Sequence, residues 1–144
     1  MPAPYAERPP QGKRSAETPF GPSVADFVGN LSGTAAPTDE WTTVTRVYDQ
    51  LGGEHDVQIR FYNRTSNPAS PPAPSGAIAS WDWEATEVGS ATIIGGSAGG
   101  TPTGEPLYFD SNGLSMNPTA TNTVNVPAGT APTFSFTLNF ADIT

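Results

Sequence analysis

The longest regular alternation of apolar and polar side chains lies in the segment from Trp41 to Asn63. In its second half, Val57, Ile59 and Phe61 alternate with polar residues, and a period of two is typical of a strand with one face on a core. Residues 50–54 contain two adjacent glycines, which allow the positive φ that a tight reversal needs. The segment is therefore predicted to be a β-hairpin.

The first arm of this hairpin, Thr42–Asp49, is rich in Thr, Val and Tyr, which suit a pleated and half-buried surface. Its apolar face is not determined by the pattern, because Val44 and Tyr48 fall on one parity and Val47 falls on the other. The second arm therefore indicates the core side of the hairpin more clearly than the first.

A second clear alternation, at 133–140, lies near the end of the sequence. One face of this segment is apolar throughout and consists of Phe134, Phe136, Leu138 and Phe140. Fully burying a side chain of this class stabilises a fold by about 1.5–3 kcal/mol. We expect this face and the alternating face of the hairpin to supply much of the core.

Shorter segments of strand character occur at 24–31, 77–86, 90–94, 105–109 and 124–126. The segments between them, above all 65–76 and 95–104, are rich in Pro or Gly and are predicted to be surface loops. The pattern predicts an all-β fold, a small antiparallel β-barrel or sandwich of about seven or eight strands with long Gly/Pro-rich loops.

The organisation of the chain is predicted to be one domain preceded by a tail. Residues 1–22 contain six prolines and few apolar side chains. We therefore predict that residues 1–23 form a disordered or extended tail or linker and that residues 24–144 form a single β domain. A chain of 144 residues is long enough for one core of ordinary size.

Charge and composition exclude several classes of function. The net charge is −8, and such a surface repels phosphate backbones and anionic membranes, so we expect neither nucleic acid binding nor membrane insertion. The absence of cysteine excludes a disulfide scaffold and thiolate zinc sites. No apolar run reaches the roughly 18 residues that a membrane-spanning helix needs.

Four segments resemble the outer domain of the bacterial flagellar hook protein family. They are TTVTRVYDQLGGEHDVQIRFY in the hairpin, ADFVGNLSGTAAP at 25–37, LYFDSNGL at 107–114 and FSFTLNFADIT at 134–144. The matching positions, interpreted as structural motif residues, are Gly29, Asn30, Leu31, Tyr48, Asp49, Leu51, Gly52, His55, Phe61, Phe109, Asp110, Asn112, Gly113 and Phe140. The four segments occur in the family's order, and the resemblance covers residues 25–144.

The resemblance implies a surface-exposed structural domain whose copies contact one another in a bendable tubular filament that serves motility. It favours a small, partly open barrel, with no enzyme activity and no cofactor. It also implies an extracellular location on the flagellum after export by the flagellar type III route, which agrees with the lack of an apolar secretory signal segment.

The family's heptad-patterned helical segments, which build the inner tube of the hook, have no counterpart in this sequence. We therefore expect a fragment of a larger subunit, monomeric in isolation, the alternative being a short divergent gene product.

Two residue groups resemble catalytic or metal sites. His55 is the only histidine, and its neighbours Glu54 and Asp56 point to the opposite face of the strand, so we interpret His55 as a solvent-side residue rather than a catalytic base. The segment 110–113 matches the first half of a calcium loop, but Thr121 stands where that loop needs a glutamate. We interpret it as a turn.

Carboxylates beside aromatic residues can indicate glycoside hydrolysis, and Asp82, Glu84 and Glu87 lie near Trp81 and Trp83. We favour a solvated strand face with both tryptophans turned to the core. The alternative function is a free-standing extracellular β-module that binds a carbohydrate or a surface ligand, which requires both tryptophans to be exposed.

Overall fold

A computed structural model of the chain describes residues 24–32, 34–69, 73–97, 104–116, 122–127, 129 and 132–144. These residues contain eight strands and no helix: β1 (Val24–Gly29), β2 (Trp41–Tyr48), β3 (Glu54–Ser66), β4 (Ala79–Glu87), β5 (Ile93–Gly96), β6 (Leu107–Phe109), β7 (Thr123–Val126) and β8 (Phe134–Ile143). The all-β prediction is confirmed. The predicted tail, residues 1–23, lies outside the described residues, so its boundary stays a prediction.

The strands form two sheets that face each other. One sheet has the order β2-β3-β4-β5, and β6 also pairs with β4. The other has the order β1-β8-β7, in which β1 runs parallel to β8. Strand pairing within the described ranges does not join the two sheets, so the arrangement is sandwich-like and not the partly open barrel that the resemblance favours. The parallel pair also departs from the antiparallel prediction.

The predicted hairpin is present, with pairs running from Trp41 opposite Phe61 to Tyr48 opposite Glu54. Val47 is fully buried, whereas Val44 is 53% exposed, so the core face of the first arm is the one that carries Val47. The strand register thus identifies the core face of this arm, which its apolar pattern alone does not.

Some strand limits differ from the prediction. An irregularity between Tyr62 and Thr65 lets β3 continue past the predicted hairpin to Ser66. β5 lies later than predicted and contains Gly95 and Gly96, which we assigned to a loop. Both glycines are buried and pair with β4, Gly95 opposite Ala85 and Gly96 opposite Glu84.

The core between the sheets is dominated by three aromatic rings. Phe140 on β8 meets Phe61 on β3 and Trp83 on β4 edge-on, with ring centroids 5.4 and 5.8 Å apart. All three side chains are at most 1% exposed. Edge-to-face packing adds to the stabilisation from burial. The two alternating segments therefore supply the core, as the sequence predicts.

Close backbone packing also fixes Trp83. Its indole Nε1 donates a hydrogen bond to the carbonyl of Glu105 at 3.0 Å. A Cβ placed on Gly104 would lie 2.5 Å from Cζ2 of Trp83 and 2.7 Å from Oδ1 of the buried Asn122. Only a residue without a side chain fits at this position.

Replacement of the central ring should weaken the sandwich strongly. Phe140→Ala is expected to lower the free energy of unfolding by about 3–5 kcal/mol, because it leaves a cavity between the sheets. Val88→Ala, at a side chain that is 56% exposed, should change it by less than about 0.5 kcal/mol. Urea denaturation measures both, and equal small losses would contradict the assignment of the core.

A pair of glycine substitutions tests the close packing at Gly104. Gly104→Ala should cost about 1–3 kcal/mol of unfolding free energy, because its Cβ would overlap Trp83. Gly29→Ala has nothing within 4 Å of the added Cβ, so the change is expected to be neutral or stabilising by about 0.4–1 kcal/mol. Thermal unfolding that ranks the two variants the other way would be inconsistent with this packing.

Candidate functional site

The hairpin turn holds a partly buried polar group that we call the turn cluster: Asp49, His55 and Glu87. Nδ1 of His55 lies 2.8 Å from Oε1 of Glu87, and Nε2 lies 3.1 Å from Oδ2 of Asp49. The side chain of His55 is only 15% exposed. Our interpretation of His55 as a solvent-side residue is therefore wrong, because the alternation that turns Val57 inward also turns His55 inward.

The two carboxylates favour the protonated form of His55. The hydrogen bond with Glu87, followed by that with Asp49, raises the pKa of His55 above its ordinary value despite partial burial. The contact with His55 and the backbone N–H groups of Gly53 and Leu51 lower the pKa of Asp49. The ring of Phe134 packs edge-on against the imidazole at 5.6 Å. A nucleophile that His55 could activate is not among these contacts.

Asp49 also shapes the turn itself. Its Oδ1 accepts hydrogen bonds from the backbone N–H groups of Leu51 and Gly53, both at 2.8 Å. Gly52 has a φ of 85°, which glycine adopts without strain. The motif residues Asp49, Gly52 and His55 therefore form one structural unit at the tip of the hairpin, while Leu51 is 74% exposed there.

The solvent side of the five-stranded sheet, which we call the outer face, is made by alternate residues of three strands. They are Thr42, Val44, Arg46 and Tyr48 on β2, Glu54, Asp56, Gln58, Arg60 and Tyr62 on β3, and Asp82, Glu84 and Thr86 on β4. Four carboxylates and two arginines make this face polar and moderately acidic.

Two arginines organise the outer face. Arg46 contacts Asp56 at 2.7 Å and Glu54 at 3.0 Å. Arg60 donates to Glu84 at 2.8 Å, and its Nε also donates to Glu40 at 3.0 Å. The sequence pattern does not indicate these pairs, because opposite charges become cross-strand neighbours only once the register is known.

Apolar side chains are exposed beside these ion pairs. Val44 is 53% exposed and Tyr48 is 40% exposed on the outer face. Trp41, at the start of the edge strand β2, is 52% exposed. Arg60 covers the ring of Tyr62, with 4.5 Å between the guanidinium carbon and the ring centroid. The outer face thus combines a few apolar groups with exposed charge pairs.

The segment from Asp110 to Gly113 forms the predicted turn. Oδ1 of Asp110 accepts hydrogen bonds from the backbone N–H groups of Asn112 at 2.8 Å and Leu114 at 3.0 Å. These bonds lower the pKa of Asp110, and Gly113 takes a φ of 79°. The carboxylate is therefore occupied by its own backbone, and a three-ligand metal group is not found anywhere in the described ranges.

A surface depression of about 340 Å³ lies beside this turn. Its charged lining residues contact their own chain: Arg64 donates to Ser66 at 2.8 Å, and Asp110 accepts from the turn. The motif residue Leu31 lines it too, and its backbone N–H donates to the carbonyl of Thr144 at 2.6 Å. The depression therefore brings two motif segments together without a converging set of catalytic groups.

The remaining motif residues lie in the first and last strands and in the core. Gly29 ends β1 and accepts a hydrogen bond from the N–H of Thr144 at 3.0 Å. Asn30 is exposed beside it, and Phe109 is buried on β6. Asn122, just before β7, is fully buried, and no apolar alternation in the sequence indicates this.

The condition for the carbohydrate-binding alternative is not met. Trp81 is 3% exposed and Trp83 is fully buried, so neither ring is available to a sugar. The three carboxylates do not form a pair either: Asp82 bonds Asn63 at 2.7 Å and Glu84 bonds Arg60, whereas Glu87 belongs to the turn cluster. The structure turns both tryptophans to the core, as the favoured interpretation expects.

The two packed sheets make this chain a β-sandwich domain. A family model described as the flagellar basal body protein FlaE D2 domain matches residues 19–144, which is most of the chain. The chain belongs to this family and is a structural domain of the flagellar hook. Searches of curated proteins and of solved structures give no significant match. The described residues contain no helix long and apolar enough to cross a membrane.

The role of Asp49 in the turn can be tested by amide hydrogen exchange. Asp49→Ala should make the amides of Leu51 and Gly53 exchange several-fold faster, because both lose their acceptor. Asp142→Ala, at an exposed position on β8, removes the same charge and should leave these two rates unchanged. Unchanged exchange in the Asp49 variant would show that the turn does not depend on this carboxylate.

Proposed function

We propose that this chain is the outer, surface-exposed domain of a flagellar hook subunit and that its outer face contacts a neighbouring copy in a bendable tubular filament. Family membership supports the hook as the setting. The observation that carries the choice of face is the exposure of Val44 and Tyr48 among cross-strand ion pairs. The other side of the same sheet is buried in the core.

The chemistry of the outer face suits a contact that must break and form again. Transient interfaces are about as apolar as ordinary protein surface, and a few apolar side chains among charges fit that composition. Exposed ion pairs such as that of Arg46 with Asp56 contribute little to stability because water and salt screen them, so neighbouring copies could exchange partners at low cost. Such a face would allow copies to slide as the filament bends.

The proposal includes an extracellular location and export by the flagellar type III route. It assigns no catalytic role and no cofactor, since function would reside in contact faces rather than in a pocket. In isolation the chain is expected to be monomeric, because one moderately polar face without the rest of the subunit offers little buried area.

A charge introduced into the middle of the outer face tests this proposal. Val44→Glu, placed in the complete hook subunit in the source bacterium, adds a carboxylate to a face that already has an excess of them. It should reduce swimming speed and change the curvature of isolated hooks, measured by cell tracking and electron microscopy. Urea denaturation of the isolated chain should show an intact fold.

Leu114→Glu is the matched control. Leu114 is 55% exposed, close to the 53% of Val44, but lies in the loop after β6 rather than on the outer face. It should leave swimming and curvature near those of the parent. Parental behaviour of the Val44 variant, or equal impairment by both substitutions, would refute the choice of this face.

A further inference from the structure

Both ring nitrogens of His55 face carboxylate oxygens. The distances are 2.8 Å from Nδ1 to Glu87 and 3.1 Å from Nε2 to Asp49, and both are hydrogen-bond distances. An ionised carboxylate can only accept, and a neutral imidazole carries one N–H. The two contacts can therefore exist together with ionised carboxylates only when His55 carries protons on both nitrogens.

We propose that the turn cluster is a pH-dependent switch: protonated His55 joins the hairpin turn to the end of β4, and neutral His55 releases Glu87. The cluster connects three parts of the chain, since Asp49 starts the turn, His55 lies in β3 and Glu87 ends β4. Loss of one proton removes one of the two links.

Glu87 is the partner that should be released. Asp49 is held by two further hydrogen bonds, from the N–H groups of Leu51 and Gly53, and is 6% exposed. The side chain of Glu87 is 29% exposed and can turn to water without breaking the strand. A neutral His55 would keep its single N–H on Oδ2 of Asp49, because this buried oxygen would otherwise lack a donor, whereas the more exposed Glu87 can accept from water.

No other charged group that the structure describes faces the imidazole. The residue opposite His55 on β2 is Val47, and β8 contributes the ring of Phe134. On its own strand, Glu54 and Asp56 lie on the outer face and contact Arg46. The charge state of His55 is therefore set by Asp49 and Glu87, with the partly buried position opposing the charge.

The pH window follows from the two shifts. Since the folded-state pKa of His55 is raised, its contribution to stability is complete below the ordinary value of 6.5 and is lost as pH rises through the raised value. Since the pKa of Asp49 is lowered, its contribution is complete above the ordinary value of 3.8 and is lost as pH falls through the lowered one. The cluster should stabilise the fold most between about pH 4 and 6.5.

Release of Glu87 would loosen a specific part of the surface. The next residue, Val88, is 56% exposed, and its N–H donates to the carbonyl of Asp56 at 2.9 Å. Tyr48 and Leu51 are exposed at the same end of the sandwich. The switch would thus alter how firmly the hairpin end of the domain holds its exposed apolar side chains. Neither His55 nor Glu87 lies on the outer face, so the switch does not require that face to contact a neighbour.

The single histidine makes the test direct. In a chain labelled with ¹⁵N at histidine, NMR should show both ring nitrogens of His55 protonated at pH 6 and a titration midpoint above 6.5. Glu87→Gln should lower the midpoint, because it removes the first partner. Glu84→Gln, the same substitution on the same strand but at a partner of Arg60, should leave it unchanged.

Conformational release needs a second readout. After correction for the intrinsic effect of pH, the amide of Val88 should exchange faster above the midpoint in the parent chain, and this change should be absent in His55→Gln. Any one of three results would overturn the proposal. They are a midpoint at or below 6.5, a midpoint that Glu87→Gln does not change, and an exchange rate at Val88 that does not depend on the protonation of His55. These measurements use the isolated chain, so they stand apart from any result on filament contacts.

Discussion

Phe140 packs edge-on against Phe61 and Trp83 between the two sheets. These rings join β8 of one sheet to β3 and β4 of the other. Since no strand pairing in the described part of the chain links the sheets, burial of side chains must hold them together. Each edge-to-face pair adds about 0.5–1.5 kcal/mol of stability beyond burial, and Phe140 takes part in two such pairs.

This constraint determines which surfaces are left for function. The inner sides of both sheets form the core, and the two tryptophans that a sugar-binding site would need are buried in it. The carboxylates near them are distributed between separate partners, as Glu84 with Arg60 shows. What remains on the five-stranded sheet is the outer face, with its ion pairs and exposed Val44 and Tyr48. A structural role in the hook fits a molecule of this construction.

The sequence predicts the fold where one strand face is apolar, as in Val57 to Phe61 and in the last strand. It places β5 too early, at 90–94, because Gly95 and Gly96 have no apolar pattern and pair only when β4 is in place. The parallel pairing of β1 is equally a tertiary outcome. His55 could have been placed correctly, since it shares the parity of Val57, but its partner Glu87 is 32 residues away and becomes visible only with the register.

If copies of the chain meet at the outer face, a density map of the assembled hook that resolves side chains should show it. Atoms of a neighbouring copy are expected within about 4.5 Å of Val44 and Tyr48. A map in which neighbours meet only the three-stranded sheet, with the outer face open to solvent, would show that the outer face is not the contact.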